Sequence, residues 1–381
     1  MNTAKNCRIC GNEISPFMTF GQMPIANGFL KEHEFSKEYF FEMKPSFCKN
    51  CFAFQLIDQP DASMMFNENY PFFSSLSKHM QLHFEKFAES LIDNFIKDKS
   101  NSFVIELGSN DGIMLKHFKN RGIKHLGVEP SSNVAEISAN EGINTISEFF
   151  DEDLADKILD EYGNANIIYA ANVMCHIPDL NSVFRGISKL LGSNGVLVFE
   201  DPYLGEMLKK VSYDQIYDEH VYIFSASSVS SLCERHGLEL IDAKSQKTHG
   251  GSMRYFIAPK GSHKITKDIT DLIEDENNKG FKSESIYLSF KRDCENSKKD
   301  LIAKEISKAV NIEPQIDNGD ILPSDNTGKS ISNSISFFFD NGDQIMIDCS
   351  DWSDAVTFLD NLKVVLLPRY VNRWILDEAH K

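Results

Sequence analysis

Residues 104–115 read VIELGSNDGIML, and this stretch constrains the fold of the chain more than any other. An apolar run of strand-forming residues breaks at a turn that contains Gly108 and Gly112, and a helical pattern follows. A strand, a glycine-containing turn and a helix in that order are typical of parallel α/β sheets that bind a ligand at the helix N-terminus. The stretch therefore predicts a doubly wound sheet with a ligand site at this turn.

The same alternation of short apolar runs and amphipathic stretches extends on both sides of the turn. Strands are predicted at 103–107, 125–129, 167–173, 195–200, 238–243 and 253–258, and helices at 80–96, 113–119, 181–191 and 227–236. We predict three parts: an N-terminal metal-binding module over 1–75, an α/β domain over 76–260, and a divergent C-terminal α/β domain over 261–381. Residues 311–334 read as a polar linker, and the apolar runs ISFFF, IMI and VVLL follow it.

The cysteines are unevenly placed. Cys7-x-x-Cys10 and Cys48-x-x-Cys51 form two close pairs with 37 residues between them, and the other cysteines are scattered singly. Two such pairs supply the thiolates of a closed tetrahedral zinc site, which folds a module and leaves no open position for a substrate. A redox pair or free buried thiols are the alternative interpretations.

The charge balance limits the partners of the chain. It has 39 basic and 56 acidic residues, for a net charge of −17. A field of that sign repels the phosphates of nucleic acid and anionic lipid, so we expect neither as a partner. No apolar run approaches the roughly 20 residues that span a bilayer, and the N-terminus lacks the apolar stretch of a signal peptide. We therefore expect a cytoplasmic protein.

The acidic residues beside the glycine turn indicate the cofactor. ELGSNDG does not have the spacing GxGxxG of dinucleotide enzymes, which disfavours NAD. Glu106 before the turn suits a cationic ligand such as S-adenosylmethionine, and Glu129 in GVEP is placed to accept hydrogen bonds from both ribose hydroxyls. Two surface carboxylates at sheet ends are the alternative. The predicted cofactor-binding residues are Glu106, Gly108, Asn110, Asp111, Glu129 and Asn172.

Two further segments carry groups that suit acid–base chemistry. Residues 217–220 read YDEH and supply a phenol, two carboxylates and an imidazole, although a solvated turn would have the same composition. His176, in ANVMCHIPD, follows a predicted strand and is equally compatible with a structural role. Residues 248–256, THGGSMRYF, could hold a diphosphate through backbone N–H groups, Ser252 and Arg254, or the paired glycines could simply open a strand.

In order along the chain, the most informative stretches are CRICGN with CKNC, NYPFFSSLSKH, ELGSNDG, GVEP, ANVMCHIPDLNSVF, FEDPYL, YDQIYDEHVYIFS and THGGSMRYF. Together they resemble the sugar C-methyltransferases that act on nucleotide-linked keto-deoxysugars. The resemblance covers residues 7–257. It implies a structural zinc module, a central Rossmann-like domain that binds S-adenosylmethionine, and a C-terminal domain that helps to enclose a sugar nucleotide.

The resemblance also implies roles for individual residues. His220 would remove the proton beside a keto group, while Tyr217, Glu219 and His176 would orient that base or donate a hydrogen bond to the enolate oxygen. The predicted substrate-binding residues are Tyr70, Ser74, Ser75, His249, Ser252 and Arg254. Phe72 stands where many relatives have a second tyrosine, and residues 261–381 lack the glycine-rich turn that relatives carry there.

The preferred interpretation is an S-adenosylmethionine-dependent C-methyltransferase whose substrate is a nucleotide-diphosphate keto-deoxysugar. One alternative keeps the cofactor and methylates oxygen or nitrogen. Another is a zinc-containing scaffold protein without activity, against which the acidic residues Glu106 and Glu129 argue. Whether the protein is a monomer or a dimer stays open.

Overall fold

The computed structural model describes residues 5–310, 333–338 and 344–349. Most of the predicted polar linker, at 311–332, and the apolar run VVLL lie outside the described residues. The predicted C-terminal domain is therefore described only in part.

Strands and helices alternate through the middle of the chain, as the sequence pattern predicts. In the described part the strands are β1 Gln22–Pro24, β2 Phe40–Glu42, β3 Pro45–Phe47, β4 Phe54–Leu56, β5 Phe103–Leu107, β6 Lys124–Val128, β7 Thr145–Ile146, β8 Ala165–Ala171, β9 Leu191–Pro202, β10 Tyr222–Ile223, β11 Leu238–Gln246, β12 Ser252–Pro259, β13 Asn333–Phe338 and β14 Gln344–Cys349. The α-helices there are α1 Ala62–Met65, α2 Lys78–Phe95, α3 Leu115–Lys119, α4 Ser132–Asn140, α5 Glu152–Tyr162, α6 Leu180–Leu190, α7 Leu204–Lys210, α8 Ala226–Glu234, α9 Lys267–Asn278 and α10 Glu284–Val310. Short 3-10 turns include Ser74–Leu76, Met174–His176, Tyr213–Gln215 and Thr248–Gly250.

The central sheet is a doubly wound α/β sheet. Its strand order, among the described residues, is β11-β12-β9-β8-β5-β6-β7. The strands from β9 to β7 pair in parallel, and β12 runs antiparallel to both β9 and β11. From β5, the chain adds β6 and then β7 on one side of β5, and it then returns to place β8 on the other side of β5. The carboxyl ends of β5 and β8 therefore form a switch point, where ligands of open α/β sheets bind.

Burial explains why these segments form strands and helices. Each residue of β5, FVIEL, is buried, as expected for a central parallel strand with both faces covered. Helix α2 covers one face with residues at helical spacing, including Phe84, Phe87 and Leu91. Each buried side chain of this size contributes roughly 1.5–3 kcal/mol to folding relative to an exposed one.

Some elements were missed by the sequence prediction. Strand β7 has two residues, too few for a periodic pattern. Helix α5 had a local signal, because Asp151 caps it by accepting a hydrogen bond from the Leu154 N–H at 2.8 Å. Helix α7 lies in the segment after Glu200 that was expected to be irregular.

The N-terminal segment packs directly on the central domain. Strand β4 pairs with β3 and also with β10, which belongs to the segment just after the YDEH stretch. Apolar residues of both parts form one cluster, in which Met23, Phe41 and Phe54 contact the same core as Ile216 and Ile223. The predicted boundaries at residues 75 and 260 stay predictions, and the packing is continuous across both.

None of the helices described in the structure is both long enough and apolar enough to cross a membrane.

Candidate active site and metal centre

The cysteine pairs converge on one point. The Sγ atoms of Cys7 and Cys51 lie 3.4 Å apart, as do those of Cys10 and Cys48, and the ligand atoms of the whole group lie within 4.8 Å of one another. Gln55 Nε2 donates to the Cys7 Sγ at 3.0 Å, the kind of outer hydrogen bond that stabilises a metal-bound thiolate. The four thiolates fit a tetrahedral zinc ion whose coordination sphere is then complete, so the metal has no open position for a substrate.

The glycine turn follows β5 at the switch point. Gly108 has a φ of +67°, and a Cβ there would lie 2.3 Å from Val173 Cγ2, so a larger residue would push the turn away from the segment after β8. Asn110 and Asn172 also have left-handed backbone conformations, with φ of 48° and 57°. Such conformations cost about 1–3 kcal/mol each and are often found at binding sites. Both asparagines belong to the predicted cofactor set.

Two buried carboxylates stand at the ends of the adjacent strands β5 and β6. Glu106 accepts a hydrogen bond from the Tyr169 hydroxyl at 2.6 Å. Glu129 accepts the N–H of Asn110 at 2.9 Å and that of Ser131 at 2.8 Å. Burial raises the pKa of both glutamates, and only neutral groups donate these bonds. A cationic ligand beside Glu106 would favour its charged form.

Free hydrogen-bonding capacity remains at this turn. Each Glu129 oxygen accepts one backbone N–H and keeps a second lone pair, which suits the two hydroxyls of a ribose. The buried Asp111 Oδ1 has no hydrogen-bond partner in the part of the chain that the structure describes. These residues fit S-adenosylmethionine: Glu106 would face its cationic end and Glu129 its ribose.

Residues 70–75, which are predicted to contact the substrate, lie on the glycine turn after β5. Ser74 N–H donates to Asn110 Oδ1 at 3.0 Å, and Ser75 N–H donates to Asp111 Oδ2 at 2.9 Å. The Tyr70 ring lies 5.6 Å from that of Phe72, which is half exposed. Asn110 and Asp111 thus support the segment through their side chains. The predicted cofactor and substrate residues are neighbours here.

Three of the predicted catalytic residues, Tyr217, His220 and His176, form a row of rings. The ring centroids of Tyr217 and His220 lie 4.3 Å apart, and those of His220 and His176 lie 5.4 Å apart. Phe66 stacks on His176 at 5.5 Å and contacts Tyr70 at 5.6 Å. The row therefore joins the YDEH segment to the segment on the glycine turn. Phe66 was not singled out from the sequence, and no local signal marks it.

His220 is held as a neutral base. Its Nδ1 lies 2.7 Å from the carbonyl oxygen of Gln215, which can only accept, so Nδ1 carries the hydrogen and Nε2 keeps its lone pair. Burial lowers the pKa of His220 to about 4. Burial also lowers the pKa of His176, whose Nε2 has no hydrogen-bond partner among the described residues. Both imidazoles are neutral at pH 7.

The phenol beside this base keeps its proton. Burial and the neighbouring Glu219 raise the pKa of Tyr217 well above its usual value. A protonated phenol is a hydrogen-bond donor. Tyr217 is thus a donor beside a base, which is the combination that enolate formation requires.

Arg254, in the predicted diphosphate-binding segment, forms an ion pair with Glu200 at the end of β9. Arg254 Nε and Nη2 lie 3.0 and 2.7 Å from Glu200 Oε2, and the guanidinium lies 3.5 Å above the Phe87 ring. Ser252 is buried, and its hydroxyl donates to the Thr248 carbonyl at 3.2 Å. His249 in the same turn is exposed. The substrate-binding roles of Ser252, Arg254 and His249 stay predictions, and the first two already have partners within the protein.

Two residues of the N-terminal segment reach the YDEH stretch. The Ala26 N–H donates to Asp218 Oδ1 at 3.1 Å, and the Asn27 side-chain amide donates to Glu219 Oε1. Both carboxylates are buried. Neither Ala26 nor Asn27 was singled out as a site residue. Their turn-rich stretch was visible in the sequence, but a contact across 192 residues was not.

Three family models match the chain in succession. A model described as "Putative zinc binding domain" matches residues 7–66, one described as "Methyltransferase domain" matches 78–243, and one described as "C-methyltransferase C-terminal domain" matches 247–311. The third match includes residues 261–311, which are part of the predicted divergent C-terminal domain.

A curated relative decides the family. The C-methyltransferase NovU of Streptomyces niveus is 30% identical over 287 residues, covering 74% of this chain and 68% of the relative. The chain belongs to the C-methyltransferase family. A Ubiquinone biosynthesis O-methyltransferase of Colwellia psychrerythraea is 27% identical over 38% of the chain and 66% of its own length.

Solved structures also overlap with this C-methyltransferase. A protein of Pyrococcus horikoshii OT3 covers 49% of the chain at 15% identity, with a TM-score of 0.40 and 94% of its own length aligned. The magnesium protoporphyrin IX methyltransferase of Synechocystis PCC 6803 with bound S-adenosylhomocysteine covers 46% at 12% identity and a TM-score of 0.36, over 81% of its length.

Several predictions from the sequence are thereby confirmed. The protein is an S-adenosylmethionine-dependent methyltransferase with a Rossmann-like α/β fold, and its N-terminal cysteine cluster belongs to a zinc-binding domain. The roles of the individual site residues stay predictions.

Zinc content tests the cysteine cluster. We expect one zinc ion per chain by elemental analysis, and Cys48→Ser should lose it and lower the unfolding temperature, because zinc binding supplies folding free energy. Cys233→Ser, which alters a buried cysteine outside the cluster, should retain the zinc. Full zinc occupancy in Cys48→Ser would contradict the site.

Cofactor affinity tests Glu129. Loss of this acceptor in Glu129→Ala should weaken S-adenosylmethionine binding about 10- to 100-fold, since hydrogen bonds to a charged group contribute roughly 1.5–3 kcal/mol. Isothermal titration calorimetry would measure the change. Glu148→Ala removes an exposed carboxylate and should bind like the wild type. Equal affinities of the two variants would rule out the assigned role.

Denaturation tests whether the Glu200–Arg254 pair stabilises the fold. Arg254→Met removes the guanidinium from the buried Glu200 carboxylate, which keeps His83 at 2.9 Å and the Thr248 hydroxyl at 2.8 Å, and should lower the free energy of unfolding by up to about 3–5 kcal/mol. The double variant Glu200→Gln/Arg254→Met should be less destabilised than Arg254→Met. An unchanged urea midpoint in the single variant would show that the pair does not stabilise the fold.

The pH dependence of stability gives a second measurement on this pair. Burial opposes ionisation of Glu200, but His83 and the charge of Arg254 outweigh it and lower its pKa from 4.5 to about 2. The unfolded state therefore binds this proton first as the pH falls. The stabilisation is complete above about pH 4.5 and is lost toward pH 2.

Proposed function

We propose that this C-methyltransferase transfers a methyl group to the carbon beside the keto group of a nucleotide-diphosphate keto-deoxysugar. The observation that carries the proposal is the neutral imidazole of His220, whose Nε2 keeps its lone pair because Nδ1 lies 2.7 Å from the Gln215 carbonyl oxygen, with the Tyr217 ring 4.3 Å away. A base for a C–H proton and a donor for the developing oxyanion are the two groups that enolate formation needs.

His220 Nε2 would remove the α-proton. Its pKa of about 4 keeps the base unprotonated at neutral pH, although a base this weak needs an acidified C–H. A hydrogen bond to the ketone oxygen supplies that acidity, because the charge of the enolate develops on oxygen. Tyr217 and His176 flank His220 and are the candidate donors; a donor role for His176 requires the hydrogen on the nitrogen that faces the oxygen.

Methylation completes the reaction. S-adenosylmethionine supplies an electrophilic methyl group when it is bound. The protein's part is to hold the nucleophilic carbon in line with that methyl, and the row of rings from His220 through His176 and Phe66 to Tyr70 connects base and cofactor turn. Positioning of this kind contributes several kcal/mol to a bimolecular reaction.

A nucleotide-linked sugar is supported by the resemblance of the segments around Tyr70 and residues 217–220 to the sugar C-methyltransferases. The net charge of −17 requires that a diphosphate be bound by local donors. The exposed residues His249 and Gly250 are the candidates for such donors, whereas the Gly251 N–H already donates to the Thr248 carbonyl at 2.8 Å.

Hydrogen exchange without methyl transfer tests this function. In heavy water, with thymidine-diphosphate and cytidine-diphosphate 4-keto-6-deoxyhexoses as probes and no S-adenosylmethionine, the wild type should exchange the α-hydrogen for deuterium. Mass spectrometry measures the exchange. Absence of exchange, together with a product methylated on oxygen or nitrogen, would replace this proposal with the alternative chemistry.

Variants of the base and donor identify the residues. His220→Ala should lower exchange and methylation by at least about 100-fold, and Tyr217→Phe should lower them by about 10- to 100-fold, the range for loss of a general base or a single donor. Both should bind S-adenosylmethionine normally. Wild-type turnover in either variant would remove that residue from the mechanism.

The pH profile gives an independent check on His220. Protonation of the base abolishes its activity, so the acidic limb of the wild-type rate should fall as the pH drops through about 4 and not through the ordinary histidine value of 6.5. Rates should be compared only over the pH range in which circular dichroism shows a folded protein.

A further inference from the structure

We propose that Asn27 is a positioning residue of the active site, where its side-chain amide holds the carboxylate of Glu219, the residue before His220. The inference rests on the proposed function, because Glu219 belongs to residues 217–220, which carry the base and the donor there. It adds that the zinc-binding module, which includes Asn27, forms one wall of the active site.

The contacts run from one turn to two consecutive carboxylates. Asn27 Nδ2 donates to Glu219 Oε1, and the preceding residue, Ala26, donates its N–H to Asp218 Oδ1 at 3.1 Å. The partners are 192 residues apart in the chain. Two adjacent donors thus bind two adjacent acceptors, which sets the direction of both side chains.

These carboxylates need such donors. Asp218 is 1% exposed and Glu219 is 2% exposed, and none of the ion pairs in the described part of the chain includes either of them. Burial of a carboxyl group is costly unless it is hydrogen-bonded. Burial raises the pKa of Glu219, and the neutral Asn27 amide opposes that effect by donating a hydrogen bond to the carboxylate.

The turn that carries Asn27 is itself well supported. Strand β1 pairs with β2, with Met23 opposite Phe41, and both side chains are buried. The turn closes through hydrogen bonds from the Gly28 N–H to the Ile25 carbonyl at 3.2 Å and from the Phe29 N–H to the Asn27 carbonyl at 3.0 Å. The Asn27 amide is therefore presented from a rigid element.

The catalytic segment is held to the same part of the protein on its other side. Leu56 N–H donates to the Val221 carbonyl at 2.8 Å, and β10 pairs with β4 directly after it. Gln55 in β4 also donates to the Cys7 Sγ. The YDEH stretch thus lies between the Asn27 turn and a strand that contacts the metal centre.

Two substitutions separate the hydrogen bond from packing. Asn27→Asp keeps the shape of the side chain but loses the donor and adds a charge facing Glu219, whereas Asn27→Ala removes the group. Both should lower kcat about 10-fold or more, with KM for the sugar-nucleotide probe within about threefold, because loss of one positioning contact acts mainly on the reacting geometry. S-adenosylmethionine affinity and zinc content should stay at wild-type values. Asn94→Asp, the same change on the exposed side of α2, should have no effect.

Amide hydrogen–deuterium exchange of residues 214–223 gives a readout that requires no substrate. Exchange there should be faster in Asn27→Asp than in the wild type. In the double variant Asn27→Asp/Glu219→Gln the introduced amide can donate to the introduced carboxylate, so slow exchange should return while activity stays low.

The inference would be overturned if Asn27→Asp had both the kcat and the amide exchange of the wild type. It would also be overturned if Asn27→Ala lost activity while Asn27→Asp retained it. Loss of zinc or of cofactor binding in both Asn27 variants would also overturn it, because Asn27 would then act through folding. Failure of the proposed function would give a different result, because the wild-type enzyme would then exchange no α-hydrogen of the substrate. The amide exchange of residues 214–223 would still test the contact between Asn27 and Glu219.

Discussion

The parallel pairing of β5 between β6 and β8 sets the position of the cofactor site. The three strands end at the same edge of the sheet, so the glycine turn after β5, Glu129 after β6 and Asn172 after β8 meet there. The chain reverses its direction of sheet growth between β5 and β8, which opens a crevice at this point. The close contact of Gly108 with Val173 shows how little space separates the two loops.

Buried carboxylates in this protein differ in their partners, and the difference separates Glu200 from the predicted cofactor-binding residues Glu106 and Glu129. Glu200 has His83 and the Arg254 guanidinium beside it, and these two groups outweigh burial and hold its pKa low. Among residues 5–310, the donors to Glu106 and Glu129 are neutral and burial raises the pKa of both, so a bound cation or ribose would still stabilise them. A buried acid without a cationic partner is costly unless a ligand or a network compensates for it. Glu219 has the same kind of environment, with Asn27 as its donor.

The zinc-binding module contributes to more than its own stability. Its strand β4 pairs with β10 of the central domain, and a hydrogen bond from Gln55 connects β4 to Cys7. The apolar cluster around Met23 and Phe54 includes residues on both sides of the YDEH stretch. A metal that orders the module therefore also orders one wall of the catalytic segment. The packing gives a physical reason why the zinc-binding domain and the methyltransferase domain belong to one chain.

Local pattern in the sequence was sufficient for β5, β6, β8, α2 and α6, since strand and helix periods and turn residues act over a few neighbouring positions. It was also sufficient for the cysteine pairs, the acids at the strand ends and the YDEH stretch as a candidate site. The two-residue β7 lacks a readable period and depends on its partner strand. Nothing local distinguishes Phe66 from an ordinary core aromatic.

By itself, the sequence determined the chemical inventory and the order of the elements. Only the tertiary structure decided which groups are paired: Arg254, expected to face a diphosphate, lies against Glu200, and Asn27, an ordinary turn residue, reaches Glu219. The physical reason is that a hydrogen bond between distant segments depends on how the sheet and the N-terminal module pack together. That packing is a property of the whole fold, and no stretch of residues encodes it alone.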